Sequence, residues 1–261
     1  MKSISMRRLI FAFTSLTAVF SPIALAQYWE PIAECVDYVY LRPHVHVVKT
    51  NLSCKAVQLN ATEERHKGVT TSEFAKKTGN VVAINGDFFR VQFETKGLAI
   101  ANGIKWRASE DSSDRSFFAC SRDKICEIDP ANHIAEQKPE WHLAVGGWGN
   151  YSNGRFACSQ GIKGCDVRNS LLAHPRTAIG LDAKNRWLYM VVVEGRLPDY
   201  PGMTLDELSE VFNDLAIDKG LNLDGGGSST LVIKGQRVNR LPSGQLEERA
   251  VANHLGIFVK Q

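Results

Sequence analysis

The sequence predicts an α+β fold: a mixed, largely antiparallel β-sheet core with a few packing helices, stapled by disulfides. Three observations lead there. Apolar runs of strand length recur at 81–84, 141–145, 187–193, 230–233 and 251–259, and runs this short, bounded by glycine and polar residues, are strands rather than helices. Only two segments carry a strong helix-start signal, Thr70 with Glu73 and Thr204 with Glu207; each is a capping box, in which a hydroxyl and a carboxylate exchange bonds with first-turn N–H groups. Six cysteines lie beyond the N-terminal leader, an even count that in an exported chain points to disulfides.

Residues 1–26 read as that leader. Lys2, Arg7 and Arg8 precede the apolar run 9–20, and Ala24-Leu25-Ala26 closes it, the pattern of a secretory signal peptide with a small-residue cleavage site. The expectation is an exported protein, periplasmic or secreted, with residues 27–261 as one domain. No later stretch approaches the ~20 apolar residues of a membrane helix. The chain carries 31 Lys and Arg against 28 Asp and Glu, and the leader holds three of the basic residues and none of the acidic, so the exported part is balanced. That excludes a nucleic-acid partner, which would want a basic stripe. Loop closure favours near neighbours among the cysteines, giving Cys35 with Cys54, Cys120 with Cys126 and Cys158 with Cys165.

In chain order, 38–41 and 44–48 alternate as strands broken at Pro43, with His44 and His46 on one face as ordinary strand residues. The Thr70 helix runs to about Lys77 and stops at Gly79. The buried run 81–84 follows and delivers Asn85-Gly86-Asp87 at its end. From about 95 to 170 the pattern is irregular. Within it, 141–145 reads as a strand before Gly146-Gly147-Trp148-Gly149, where the indole either stacks on a sugar or caps the core. The run 187–193 ends at Glu194-Gly195-Arg196. The Thr204 helix repeats Leu205, Leu208, Val211, Phe212, Leu215 and Ala216 at helical spacing, with Gly220 as its stop. A hairpin turn at 234–236 and a closing strand at 251–259 complete the chain.

The remaining feature is Asn222-Leu223-Asp224-Gly225-Gly226-Gly227-Ser228, three glycines beside a carboxylate between two apolar runs. It lacks the Gly-Lys-Ser/Thr of a Walker loop and the following helix of a dinucleotide fingerprint. What fits is a backbone nest able to hold an anion or a sugar hydroxyl. Together with Asn85-Gly86-Asp87-Phe88-Phe89, with His174-Pro175-Arg176-Thr177-Ala178-Ile179-Gly180 and with Val193-Glu194-Gly195-Arg196, this stretch resembles the ordered motifs of the phosphodiester glycosidase family, to which the uncovering enzyme of phosphomannose tags belongs. The resemblance covers roughly 81–259, and 27–80 match less clearly. Glu194 is a departure, standing where a shorter Asp or Asn is expected.

The resemblance implies hydrolysis of a sugar-1-phosphate diester, such as an N-acetylglucosamine-1-phosphate linkage. The residues can be set against that chemistry. A planar guanidinium is the best single group for the phosphate, which suits Arg176, with Arg196 as second candidate. Asp87 and Asp224 make the carboxylate pair that cleavage of a C1–O bond requires. Asn85, Gly86, Asn222, Gly225, Gly226, Ser228, Glu194 and Arg196 are the candidate substrate-binding residues, and His174 reads as structural. No cofactor follows with certainty from these residues, and cleavage of a P–O bond instead would bring in a divalent metal. The rival to a hydrolase is a non-catalytic envelope or glycan-binding protein that keeps the site for recognition.

Overall fold

A computed structural model describes residues 28–41, 44–107, 109, 115–129, 137–157 and 171–260. The leader and the Cys158–Cys165 pair lie outside these residues. Two α-helices lie wholly among the described residues, α1, Thr71–Thr78, and α2, Leu205–Asp214, and both capping boxes form, Thr70 with Glu73 and Thr204 with Glu207. The rest is three sheets.

The largest sheet has eight strands in the order Glu30–Ala33, Val36–Leu41, Val45–Asn51, Trp187–Val193, Arg176–Leu181, Lys219–Asn222, Asn150–Ser152, Arg155–Phe156. A five-stranded sheet orders Gln236–Arg237, Leu231–Ile233, Val82–Asn85, His254–Val259, Val57–Ala61. A second five-stranded sheet orders Ile104–Lys105, Ala99–Ala101, Trp141–Gly147, Ser116–Ser121, Cys126–Asp129. Every ladder between these strands is antiparallel; the parallel element among the described residues is an isolated bridge, Thr95 to Ser109.

Side chains from all three sheets meet in one core, Val48, Ile179, Leu188, Met190 and Leu221 from the first, Ile84, Leu231 and Leu255 from the second, Phe118 and Leu143 from the third. This is why 81–84 and 187–193 read as unbroken apolar runs: both faces are covered. Helix α2 lays Leu205, Leu208 and Phe212 on the outer face of the large sheet, against Val45, Val47, Ala178, Val191 and Val193. Helix α1 covers the second sheet through Phe74 and Ala75 on Ala83 and Val232. The Cys35–Cys54 and Cys120–Cys126 bonds are both formed.

Two expectations need correction. The 95–170 segment is not irregular throughout: it supplies the third sheet. Its edge-side strand Ala99–Ala101 is short and mostly alanine, and its central strand ends in Gly146-Gly147, so β-propensity is weak at those places and the contacts that fix them come from other strands. Gly220 does not stop α2. The helix ends at Asp214 with Leu215 as its cap, and Ala216 turns left-handed with φ 53°. Gly220 instead lies in the Lys219–Asn222 strand, where a Cβ would stand 2.4 Å from the Phe212 ring; the glycine is there to let the helix sit close.

Candidate active site

Four polar segments emerge at one end of the core because four strands end there. Arg176 starts its strand and pairs with Val193, the last residue before Glu194-Gly195-Arg196, while Asn222 ends the next strand opposite Ala178. The second sheet contributes Asn85 at the end of Val82–Asn85. One backbone bond links the segments of the two sheets, Asp224 N–H donating to Gly86 O (3.0 Å), while Leu223 N–H to Thr177 O (2.8 Å) and Gly226 N–H to Pro175 O (2.9 Å) hold the glycine loop beside the Arg176 strand.

Between these segments lies a cavity of about 250 Å³. Asp224 and Asn222 stand on its floor, Arg176, Arg196 and Arg249 supply cations, and Trp148, Phe88, Leu205 and His174 complete the wall. The Trp148 and Phe88 rings meet edge to face at 6.2 Å, with the Arg115 guanidinium 5.4 Å from the Trp148 ring centre. Asp224 is the acidic residue lining the cavity. Burial pushes its carboxyl up to about 6, against the pull of the Ser228 hydroxyl, Arg249, the Gly225 N–H and Lys96.

Those opposing contacts revise the nest. The N–H groups of Gly226, Ser228 and Ser229 are bonded to chain carbonyls, and the Gly225 N–H and Ser228 hydroxyl bond the Asp224 carboxylate. The glycine loop therefore cradles its own aspartate, not a free anion. Gly226 is required by geometry: its φ is +61°, and a Cβ there would stand 3.0 Å from Nη2 of Arg196.

Asp87 sits behind the floor, 1% exposed, and does not line the cavity. Its Oδ2 accepts from Gly97 N–H at 2.6 Å, and its own N–H donates to Asn253 Oδ1 at 2.8 Å. Oδ1 has no partner among the described residues. Burial, foremost, pushes this carboxyl up to about 7; Arg115 and the Gly97 and Phe88 N–H groups oppose the rise, and Asp224 adds to it. A Cβ on Gly146 would fall 2.7 Å from Asp87 Oδ2 and 2.7 Å from Gly97 Cα. Gly146→Ala is accordingly expected to destabilise the fold by about 1–3 kcal/mol, the usual cost of overpacking; an unchanged urea midpoint would show that the strand relaxes freely.

Asn85 is a brace rather than a cavity residue. Its Nδ2 donates to Asp224 O (2.7 Å), and its Oδ1 accepts from Thr177 Oγ1 (2.7 Å) and Thr230 N–H (3.1 Å). Asn222 does face the cavity: Nδ2 is engaged with Trp148 O at 3.1 Å, whereas its buried Oδ1 has no partner among the described residues. Arg176 is 5% exposed and is aimed by bonds from Nε to Met203 O (2.9 Å) and from Nη2 to Leu172 O (2.8 Å). Burial and the neighbouring Arg196 lower its pKa to about 10, so it remains a cation at neutral pH. The same burial and the two arginines lower His174, leaving a neutral imidazole.

Glu194 lies outside the cavity. Its Oε1 accepts from His46 Nε2 (3.1 Å) and Arg240 N–H (2.7 Å), and its Oε2 from Arg240 Nε (2.9 Å). This buried network fixes the backbone from which Arg196, two residues on, enters the cavity. Ser228 and Gly86 likewise stand behind the lining. Arg249, Phe88 and His174 were not singled out as site residues by sequence reasoning. Phe88 and His174 sit inside the quoted motifs, whereas Arg249 lies in a polar stretch with no strand end to mark it.

One carboxylate among three arginines suits an anion and not a dication. The group of metal-ligand types found together among the described residues, Glu34 with Cys35 and Cys54, has its sulfurs tied in a disulfide. No described helix is long and apolar enough to cross a membrane.

The likeness to known proteins bears on these segments. The catalytic domain of zebrafish N-acetylglucosamine-1-phosphodiester alpha-N-acetylglucosaminidase, auto-inhibited by its pro-peptide, matches with a TM-score of 0.66 at 20% identity, over 87% of this chain and 77% of that one. A putative exported protein of Burkholderia pseudomallei matches at TM-score 0.55 and 14% identity, over 85% and 74% of the two chains. At such identities the likeness is one of fold. YomE, a prophage-derived protein of Bacillus subtilis, is 28% identical over 196 residues, 72% of this chain but 29% of YomE. The chain thus spans less than a third of that relative. The phosphodiester glycosidase model matches residues 78–258, a span that holds all four strand-end segments, and the chain belongs to the phosphodiester glycosidase family.

Proposed function

We propose that the protein is an exported hydrolase that cleaves the C1–O bond of glycosyl phosphodiesters, N-acetylglucosamine-1-phosphate diesters being the first to test. The observation that carries this is a single cavity-lining carboxylate, Asp224, facing Arg176, Arg196 and Arg249. A diester enters with one negative charge and leaves as a monoester whose second ionisation lies near ~6. Three guanidiniums favour that growing charge, which lowers the need for a proton on the leaving oxygen. Asp224 then serves C1, as nucleophile or as base for the attacking water, while the oxocarbenium-like state forms. Asp87, behind it, is protonated up to about pH 7; a neutral neighbour lets Asp224 ionise first. Trp148 offers its face to the sugar ring, and the open Asn222 Oδ1 awaits a hydroxyl or amide donor. The disulfides and the leader motif support export.

The test is release of free sugar from such a diester by the purified protein; tight binding of the diester without release would leave only the recognition reading. The pH profile gives a second check. With the Asp224 carboxyl at about 6, kcat/KM is expected to fall about tenfold per pH unit below that point. A profile flat down to pH 4 would remove Asp224 as the working base or nucleophile.

A further inference from the structure

A concavity of about 1080 Å³ lies at the end of the second sheet remote from the arginines. The chain enters that sheet at Val81, which lines the concavity, and reaches Asn85, behind Asp224, about 13 Å further on. The neighbouring strand returns from His254, opposite Asn85, to Phe258 and Val259 in the wall. The two cavities share no lining residue. We propose that this remote concavity binds a single-chain anionic amphiphile, an alkyl chain with one anionic head group. The inference is independent of the hydrolase reading.

The floor is apolar. Ile32 and Ala33 from the edge strand, Val81, and Phe258 and Val259 from the closing strand form it. Ala33, Val81 and Val259 are only partly buried against the core, so they leave apolar surface open. A Cβ on Gly235, in the turn at the rim, would meet nothing within 4 Å. The space stands at the upper end of the ~300–1,000 Å³ usual for ligand pockets, enough for an extended chain.

The rim supplies the charge. Its other polar side chains are engaged: Asn80 with Asn60 and Thr78, Ser72 with Glu248, and Glu73 in the capping box of α1. Lys76 in the last turn of α1, Lys234 in the turn before Gln236–Arg237 and Lys260 after the closing strand remain, exposed, on three separate elements. None of them makes an ion pair among the described residues. Against them stand Glu34 and the engaged Glu73. An apolar floor under unpartnered ammonium groups suits a chain with an anionic head; a small inorganic anion would leave the floor wet, and a cationic ligand would meet the lysines. The ligand enters as a free molecule and not as part of a bilayer. A membrane-seated face buries projecting apolar side chains, and the large exposed ones, among them Tyr28, Val91, Ile104 and Leu246, do not line this concavity.

The experiment is calorimetric titration of the purified protein with decanoate below its micelle concentration. One site is expected. Acetate, the head without the chain, and decyltrimethylammonium, the chain with the opposite charge, are expected to bind about tenfold more weakly or worse, since each buried methylene is worth about fourfold in affinity and each charge-assisted bond about tenfold. Lys234→Glu/Lys260→Glu is expected to weaken decanoate by about tenfold or more, and to abolish the rise in unfolding midpoint that decanoate gives wild type. Both side chains are exposed, so the unliganded midpoint should hold; if the double variant unfolds, Lys234→Glu alone carries the same test. Equal affinity for acetate would reduce the site to surface charge, equal affinity for decyltrimethylammonium would reduce it to apolar surface, and undiminished decanoate binding by the variants would place the ligand elsewhere. Each of these overturns the proposal, as does an absence of decanoate binding. Co-sedimentation with phosphatidylglycerol vesicles in that last case would make the face a membrane contact instead.

Discussion

Asp224→Asn is expected to lower the rate of sugar release by about two to four orders of magnitude, the range general acid–base groups contribute. The substitution keeps shape and removes the charge. It also places an amide where two donors, the Ser228 hydroxyl and the Gly225 N–H, converge on a carboxylate. One of them then faces an N–H instead of an acceptor, so the loop loses one bond, about 1 kcal/mol in stability. The two effects separate by measurement: the thermal midpoint moves little, while the rate collapses at saturating substrate. A variant that turns over within threefold of wild type would mean that the carboxylate facing three arginines is only their counter-charge.

Replacing Asp87 should act on stability more than on any substrate contact, because the side chain is sealed behind the floor. Its carboxyl is raised from 3.8 to about 7 by burial. The sign follows directly: the folded state prefers the protonated acid, so the contribution of this group is fully present below pH 4 and is lost as pH rises through about 7. Across that window it amounts to on the order of 4 kcal/mol. Asp224, raised to about 6 for the same first reason, tilts stability the same way between about pH 4 and 6. Asp87→Asn, a neutral near-isostere, is expected to flatten the fall in unfolding midpoint between pH 5 and 8 and to unfold later than wild type at pH 8. If wild type shows no fall over that range, or if Asp87→Asn follows the same curve, the burial argument for this residue is wrong.

Much of the fold could be read from residue order alone, and the reasons are local. Capping boxes at Thr70 and Thr204 are closed by side chains three residues apart, so the helix starts needed nothing distant. The runs 81–84 and 187–193 are apolar on both faces because both faces are covered. The third sheet was hidden for the opposite reason: Ala99–Ala101 and the Gly146-Gly147 strand end carry little β-propensity, and only pairing across the sheet makes them strands. The Gly220 error has the same root, since a glycine placed for close packing looks in sequence like one placed to stop a helix.

The site divides similarly. Asp224, Arg176, Asn222 and Arg196 line one cavity, and Asp87 stands behind it. Which partner each strand-end group chooses was not legible. Asn85 turns inward to brace Asp224 and Glu194 turns to His46 and Arg240, because each finds a complement contributed by a distant segment, while Ser228 turns back to Asp224 within its own loop. Arg249 carries no local signal at all, and reaches the cavity only through a loop whose path depends on Arg196 and Gly227.

In the proposed mechanism Asp224 and the arginines cleave the bond between C1 and oxygen. Hydrolysis of an N-acetylglucosamine-1-phosphate diester in water enriched with the heavy oxygen isotope tests it directly, by mass spectrometry of the phosphate monoester released. Attack at C1 predicts a monoester without label; label in the monoester would place the attack at phosphorus and contradict the account.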